Sequence, residues 1–265
     1  MTLEKIRVVM DKEFDEIIKN KYILGSLLFV PLLFAILMPV SMIAPSVFYP
    51  QAYQSDNSTF IGNTFSSGVS SQDSLIIFFM DAVIPFFMML PAILPTIVAS
   101  YSIIGEKKNR TLEPLLAAPV SVDEILVGKA LSAIIPAMLA TWASSLLFFA
   151  FSEGIVYAGL HRLIMPDLAM WGAGLLLLSP LLAFLGIMIA LIISSRVNDP
   201  RVAQQISVIF VIPIMAIFIG QMSGFMLIDM RMILGLAVAL VIVDALMLRF
   251  ARSMFDREEI LTRWK

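Results

Sequence analysis

The sequence predicts an all-α integral membrane protein with six transmembrane helices, and three observations predict it. Sixty per cent of the 265 residues are hydrophobic and only 14% are charged, a composition that suits a bilayer and not a soluble domain of this length. Six apolar stretches, roughly Tyr22 to Ile43, Leu75 to Ile104, Ile125 to Phe151, Leu168 to Ile193, Val202 to Met222 and Met232 to Leu248, are each long enough to cross it, since ~20 helical residues at ~1.5 Å rise span the ~30 Å hydrocarbon core. With the N-terminus placed inside, the cytoplasmic segments hold 5, 4, 2 and 5 Lys/Arg and the external loops 0, 1 and 1. Short cation-rich loops stay on the cytoplasmic face, so both termini are expected inside the cell, with the chain multi-pass in the plasma membrane.

Composition also narrows the chemistry. With no Cys and a single His, there is no disulfide, thiolate nucleophile, Cys-ligated metal or paired-His zinc motif. No metal and no nucleic acid is expected as a ligand. Neither an internal repeat nor an interdomain linker divides the chain, so residues 1–265 form one transmembrane domain, with 1–21 as an interfacial helix, 105–120 as a cytosolic segment and 250–265 as a cytosolic tail. The first apolar run follows ten charged residues in 21 and lacks a small-x-small cleavage site, so it is expected to stay as an anchor.

Residues 3 to 19 plot as an amphipathic helix. Leu3, Ile6, Met10, Phe14 and Ile17 fall within about an 80° stripe, while Glu4, Asp11, Lys12, Asp15, Glu16 and Lys19 face away. Such a helix would lie along the inner membrane surface with its lysines among lipid headgroups, or pack on a partner protein. The external stretch from Pro45 to Ser74 is polar and carries no cation. The second span holds Pro85, Pro91 and Pro95, each of which removes a backbone hydrogen bond and pushes the helix to kink. In a bilayer that is tolerated where neighbours or a cavity satisfy the freed carbonyls, so this helix is expected to line the interior or to curve within a packed bundle.

Helix starts are also legible. Ser121-Val122-Asp123-Glu124 reads as a capping box opening the third span, with Val120 and Ile125 as its hydrophobic staple. Asp199-Pro200 gives the fifth span an N-cap followed by a proline at the first helical position. Asp256 with Glu259 would cap a short tail helix.

Between the second and third spans runs Gly105-Glu106-Lys107-Lys108-Asn109-Arg110-Thr111-Leu112-Glu113-Pro114-Leu115-Leu116-Ala117-Ala118-Pro119-Val120-Ser121, followed by Gly128-Lys129. Leu112, Leu115 and Leu116 share one face by their i, i+3, i+4 spacing, so a short helix here would present a leucine knob flanked by Arg110 and Glu113. This stretch resembles the signature of the type 2 ATP-binding-cassette (ABC) transporter permease family, as do Asp199-Pro200-Arg201-Val202-Ala203-Gln204-Gln205 and Phe255-Asp256-Arg257-Glu258-Glu259. Arg110 stands where that family usually has Gly, a departure expected to lengthen the helix.

The resemblance implies the six-span membrane subunit of an ABC exporter. It implies a coupling helix in which Glu106, Arg110, Thr111, Leu112, Glu113, Leu115 and Leu116 meet a separate ATPase subunit, and a second permease copy or paralogue completing a dimer. ATP and Mg would sit on the ATPase, with no cofactor on this chain. Consistent with that, Gly128-Lys129 is followed by Ala130 and preceded by Asp123 where a phosphate-binding loop would need its first Gly.

Asp81 and Asp244 are the acids inside the apolar spans, a position that suggests a pathway for protons, cations or a substrate amine. A structural role is the competing reading, because Asp81 is about two turns from the outer end and Asp244 could meet another helix or snorkel. Pro85, Pro91, Gln204 and Gln205 are further pathway candidates. Two alternatives remain from other classes: an ion-coupled secondary transporter acting through either Asp, and an intramembrane enzyme acting on lipid or peptide.

Overall fold

The computed structural model describes residues 2–53, 70–108, 121–197, 199–207, 209, 211–223 and 228–254. Within them the chain is helical with no strand, and six helices are long and apolar enough to cross a membrane: Lys21–Phe48, Gln72–Glu106, Asp123–Leu160, Leu168–Ser194, Arg201–Gln221 and Met230–Ala251. The six predicted spans are all present. The helix at Leu3–Lys19 precedes them. The leucine knob, the staple residue Val120 and the tail helix after Met254 lie outside the described residues.

Asn20 separates the N-terminal helix from the first span. Its side-chain oxygen accepts from the backbone N–H groups of Tyr22 and Ile23 at 3.1 and 3.4 Å, satisfying donors that a helix start leaves open. The N-terminal helix packs on the third span of its own chain, through Ile6, Val9, Glu13 and Ile17. This corrects the expected stripe: Leu3 is 86% exposed, and the buried face is turned by roughly 50° toward Val9 and Glu13, at 100° per residue. Lys12, expected to face solvent, is turned to the bundle's edge, where it reaches Glu106. The hydrophobic pattern misplaced the face because a buried acid sits at its centre.

The second span is the core of the bundle. Of its apolar window 78% is buried, against 17% for the last span. The three prolines do not act alike. The helix is interrupted at Val83, between Ser71–Ala82 and Ile84–Lys108, where Pro85 has no N–H to return to the carbonyl of Asp81 and its ring crowds that carbonyl. Pro91 and Pro95 instead lie inside the continuing helix. Their expected kinks do not end it.

Two spans carry single π-helical turns that the sequence pattern does not announce, at Pro39–Ile43 and Gly174–Leu178. In the second of these a carbonyl is released to a side chain: Trp142 Nε1–H donates to the oxygen of Leu175 at 3.0 Å. At Gly174 the fourth span packs on Ile84 and Met88 of the second, where a Cβ would stand 3.5 Å from Ile84 Cγ2 and 3.0 Å from Met88 Cε. The third helix runs from Val122 to Leu160, about two and a half turns beyond the predicted Phe151, and stops where His161 takes a left-handed φ of 54°. Asp199 caps the fifth span as expected, its carboxylate accepting from Arg201 N–H at 2.8 Å.

Candidate coupling site

The capping box at the start of the third helix forms as predicted. Ser121 Oγ accepts from Glu124 N–H at 3.2 Å, and Glu124 Oε2 accepts from Ser121 N–H at 2.9 Å. Its other oxygen, Oε1, accepts the N–H of Thr2 at 2.7 Å. One carboxylate therefore anchors the start of the third helix, where the segment joining it to the second span ends, and the start of the N-terminal helix together.

One turn further along the third helix, Gly128 and Lys129 divide the work of holding the N-terminal helix. A Cβ at position 128 would stand 2.8 Å from Val9 Cγ1, 2.9 Å from Val9 Cβ and 3.3 Å from the carbonyl oxygen of Ile6. Only glycine admits so close an approach. Lys129 then reaches across that contact. Its Nζ donates to Glu13 Oε1 at 2.6 Å and to Ser102 Oγ at 2.6 Å, and it stands 3.0 Å from Glu106 Oε2. Lys129 thus makes two hydrogen bonds, to Glu13 and Ser102, and an ion pair with Glu106.

Glu106 ends the second span and faces both lysines. Its Oε1 accepts from Lys12 Nζ at 2.6 Å, while Lys12 lies 3.6 Å from Glu13. The order Lys12, Glu106, Lys129, Glu13 is thus a closed ring of alternating charge, made by the N-terminal helix, the second span and the third. Glu13, Glu106 and Lys129 side chains are 2%, 3% and 5% exposed, and the ring is electrically neutral. Buried charges persist only when paired in this way.

The pairing decides the protonation states. Burial pushes the Glu13 carboxyl up, but the charge and hydrogen bond of Lys129, with Ser102 and Lys12, outweigh it and hold the group below the usual carboxylate range. Burial likewise pulls Lys12 down, and Glu106, Glu13 and Glu16 reverse it, leaving the ammonium above the usual lysine range.

Of the residues expected to meet an ATPase, only Glu106 lies among the described residues, and the structure places it in the ring. Arg110, Thr111, Leu112, Glu113, Leu115 and Leu116 lie outside them. Sequence reasoning missed Glu13 and Ser102, left Lys129 as part of a pattern without a role, and put Lys12 in solvent. The available signal was Lys129 itself: a lysine one turn inside an apolar span needs an acid.

The pathway candidates are not brought together. Asp81 accepts from Trp171 Nε1–H at 3.2 Å, at the edge of an aromatic cluster in which Trp171 meets Phe87, Phe148 and Phe149 with ring centroids 5.5, 5.4 and 4.7 Å apart. Its expected reach to interfacial water gives way to burial at 9% exposure. Pro85 and Pro91 are buried, Gln204 is half-buried and Gln205 exposed. Asp244 is buried on the inward face of the last span and does not snorkel. Among the described residues no group of three or more His, Asp or Glu is placed to hold a metal ion.

No curated protein matches the chain. A family model described as ABC-2 family transporter protein matches residues 7–235, which include all four charges of the ring. The chain belongs to the ABC-2 transporter family, as a multi-pass membrane permease subunit that is not itself catalytic.

Proposed function

We propose that this chain is the pathway-forming half of an ABC exporter, driven by a separate ATPase that presses on residues 105–120. The observation that carries this reading is the ring of Lys12, Glu106, Lys129 and Glu13, which joins the two ends of that segment to each other and to the N-terminal helix. A push on the segment would then move the second and third spans and the N-terminal helix as one body. Packed, paired contacts of this kind transmit displacement because they resist continuous deformation.

In this reading ATP and Mg bind the partner, Leu112, Leu115 and Leu116 enter its groove, and Arg110, Thr111 and Glu113 flank them. A second permease copy or paralogue completes the pathway. The chain sits in the plasma membrane with both termini cytoplasmic, as its cation asymmetry favours. Exposed Leu3, Val8 and Ile18 give the N-terminal helix an apolar surface beyond its buried face, suited to the lipid boundary.

The test is Leu115→Asp with Leu116→Asp, co-expressed with the ATPase. Burying each leucine is worth ~2 kcal/mol and burying an unpaired charge costs more, so recovery of the ATPase with the permease should fall more than tenfold while the permease still inserts. In proteoliposomes transport should stop without ATP and survive collapse of ion gradients. Unchanged ATPase recovery and transport in the double variant would overturn the interface. Transport without ATP that vanishes with the gradient would favour the ion-coupled alternative.

A further inference from the structure

Asp81 and Asp244, the two acids inside the apolar stretches of the sequence, differ in one respect. Asp81 has Trp171 as its donor, whereas Asp244, 6% exposed, has no hydrogen-bond partner on either carboxylate oxygen among the described residues. A carboxylate held away from water without a partner is costly, and in a spanning helix it marks a place where something else supplies the counter-charge.

Its position says what that something looks like. Ile233, Ala237 and Asp244 are buried along one face of the last span, and Leu240 stands on that face one turn before Asp244, by the i, i+4 relation. Leu240 lines a cavity of about 190 Å³ between the second, fourth, fifth and sixth spans, walled by apolar side chains that include Met88, Leu182, Leu185 and Ile214. A dry cavity of ~150 Å³ accepts a benzene-sized molecule. Here an apolar chamber of that order has its wall residue Leu240 one helical turn before an unpaired buried carboxylate on the same helix face.

We infer that this chamber and Asp244 form one binding site for an amphipathic amine, with its hydrocarbon body in the chamber and its ammonium on the carboxylate. A bare inorganic cation asks for a shell of several oxygens, and the chamber offers hydrocarbon. The inference rests on the permease reading only for its meaning in transport, where it names the substrate class. Binding itself requires neither ATP nor a partner.

The experiment uses the purified full chain in lipid nanodiscs, with hexylamine as probe, hexanol as its uncharged counterpart and sodium chloride as the inorganic cation. The thermal unfolding midpoint is followed against probe concentration, since a ligand of the folded state raises it. Hexylamine should raise the midpoint saturably, with apparent affinity at least tenfold above hexanol, and sodium should not reproduce the shift. Asp244→Asn should bring hexylamine down to hexanol. Leu240→Phe, which narrows the chamber at its wall nearest Asp244 and leaves the carboxylate in place, should weaken both and carries the test should Asp244→Asn fail to accumulate. Equal affinity for amine and alcohol in the unmodified chain, an amine preference that survives Asp244→Asn, unchanged binding in Leu240→Phe, or an equal shift from sodium would each overturn the inference. None of those results touches ATPase recovery, so failure of the amine site and failure of the permease reading stay distinguishable.

Discussion

Glu106 and Lys129 meet at 3.0 Å, one at the end of the second span and the other about two turns into the third helix, so the segment between them leaves and returns through a single buried contact. Such a pair adds little net stability, because desolvation offsets attraction. Its value is that neither partner can be lost cheaply.

Removal of Lys129 is therefore the sharpest perturbation of the ring. Lys129→Met leaves Glu13 and Glu106 buried with one half-exposed ammonium between them, and should lower the unfolding free energy by about 3–5 kcal/mol. Adding Glu13→Leu removes the excess charge and leaves Glu106 with Lys12. The double variant should recover most of that loss. Thermal unfolding of the purified chain in nanodiscs checks both, and strictly additive losses would show that the two residues act independently.

The ring also sets a pH window. Glu13 is held below its ordinary value, so its contribution is fully present above ~4.3 and is lost as pH falls through the lower folded value. Lys12 is held above its ordinary value, so its contribution is present below ~10.4 and is lost only as pH rises through the higher folded value. The ring's contribution to the unfolding midpoint, read as the difference between the unmodified chain and Glu13→Gln, should stay level from roughly pH 5 to 9 and shrink on acidification. An acid limb of the same depth in Glu13→Gln would assign it to other carboxylates.

Much of this fold was legible because the bilayer imposes one length and one polarity on every span. Ser121 with Glu124, and Asp199 with Pro200, fixed two helix starts because capping is local chemistry. The same locality explains what was missed. The partners of Lys129 on the N-terminal helix lie more than a hundred positions away, and no periodicity within residues 3–19 announces that Glu13 faces inward. The break at Val83 was foreshadowed by Pro85, but Pro91 and Pro95, of the same residue type, continue their helix. Which proline breaks a span depends on the packing around it.

Gly128 offers a steric test of the clamp that leaves every charge in place. With Val9 Cγ1 2.8 Å from where a Cβ would stand, Gly128→Ala must push the N-terminal helix away from the third span. Amide hydrogen exchange along residues 3–19 should rise, and the midpoint should fall by an amount in the ~1–3 kcal/mol range of overpacking. Val9→Gly in the same chain should restore the protection near Gly128, at a cost of roughly 0.5 kcal/mol in helix propensity. Unaltered exchange in Gly128→Ala would mean the helix is not seated through this contact.

Trp171 and Asp81 give the complementary test in the half of the bundle away from the ring. Trp171 is enclosed by Phe87, Phe148 and Phe149 and points its one N–H at Asp81 Oδ1, 3.2 Å away. Asp81→Asn keeps a carbonyl oxygen as acceptor, so stability should change by less than ~1 kcal/mol and ATP-dependent transport should persist. Trp171→Phe keeps an aromatic ring in the cluster but deletes the donor, leaving a buried acid unsatisfied at a cost of about 1–3 kcal/mol. Asp81→Leu in the Trp171→Phe background removes the orphaned group and should return part of that loss. If Asp81→Asn proved as damaging as Trp171→Phe while ATP dependence remained, the negative charge itself would matter, and Asp81 would join Asp244 as a contact for a cationic substrate.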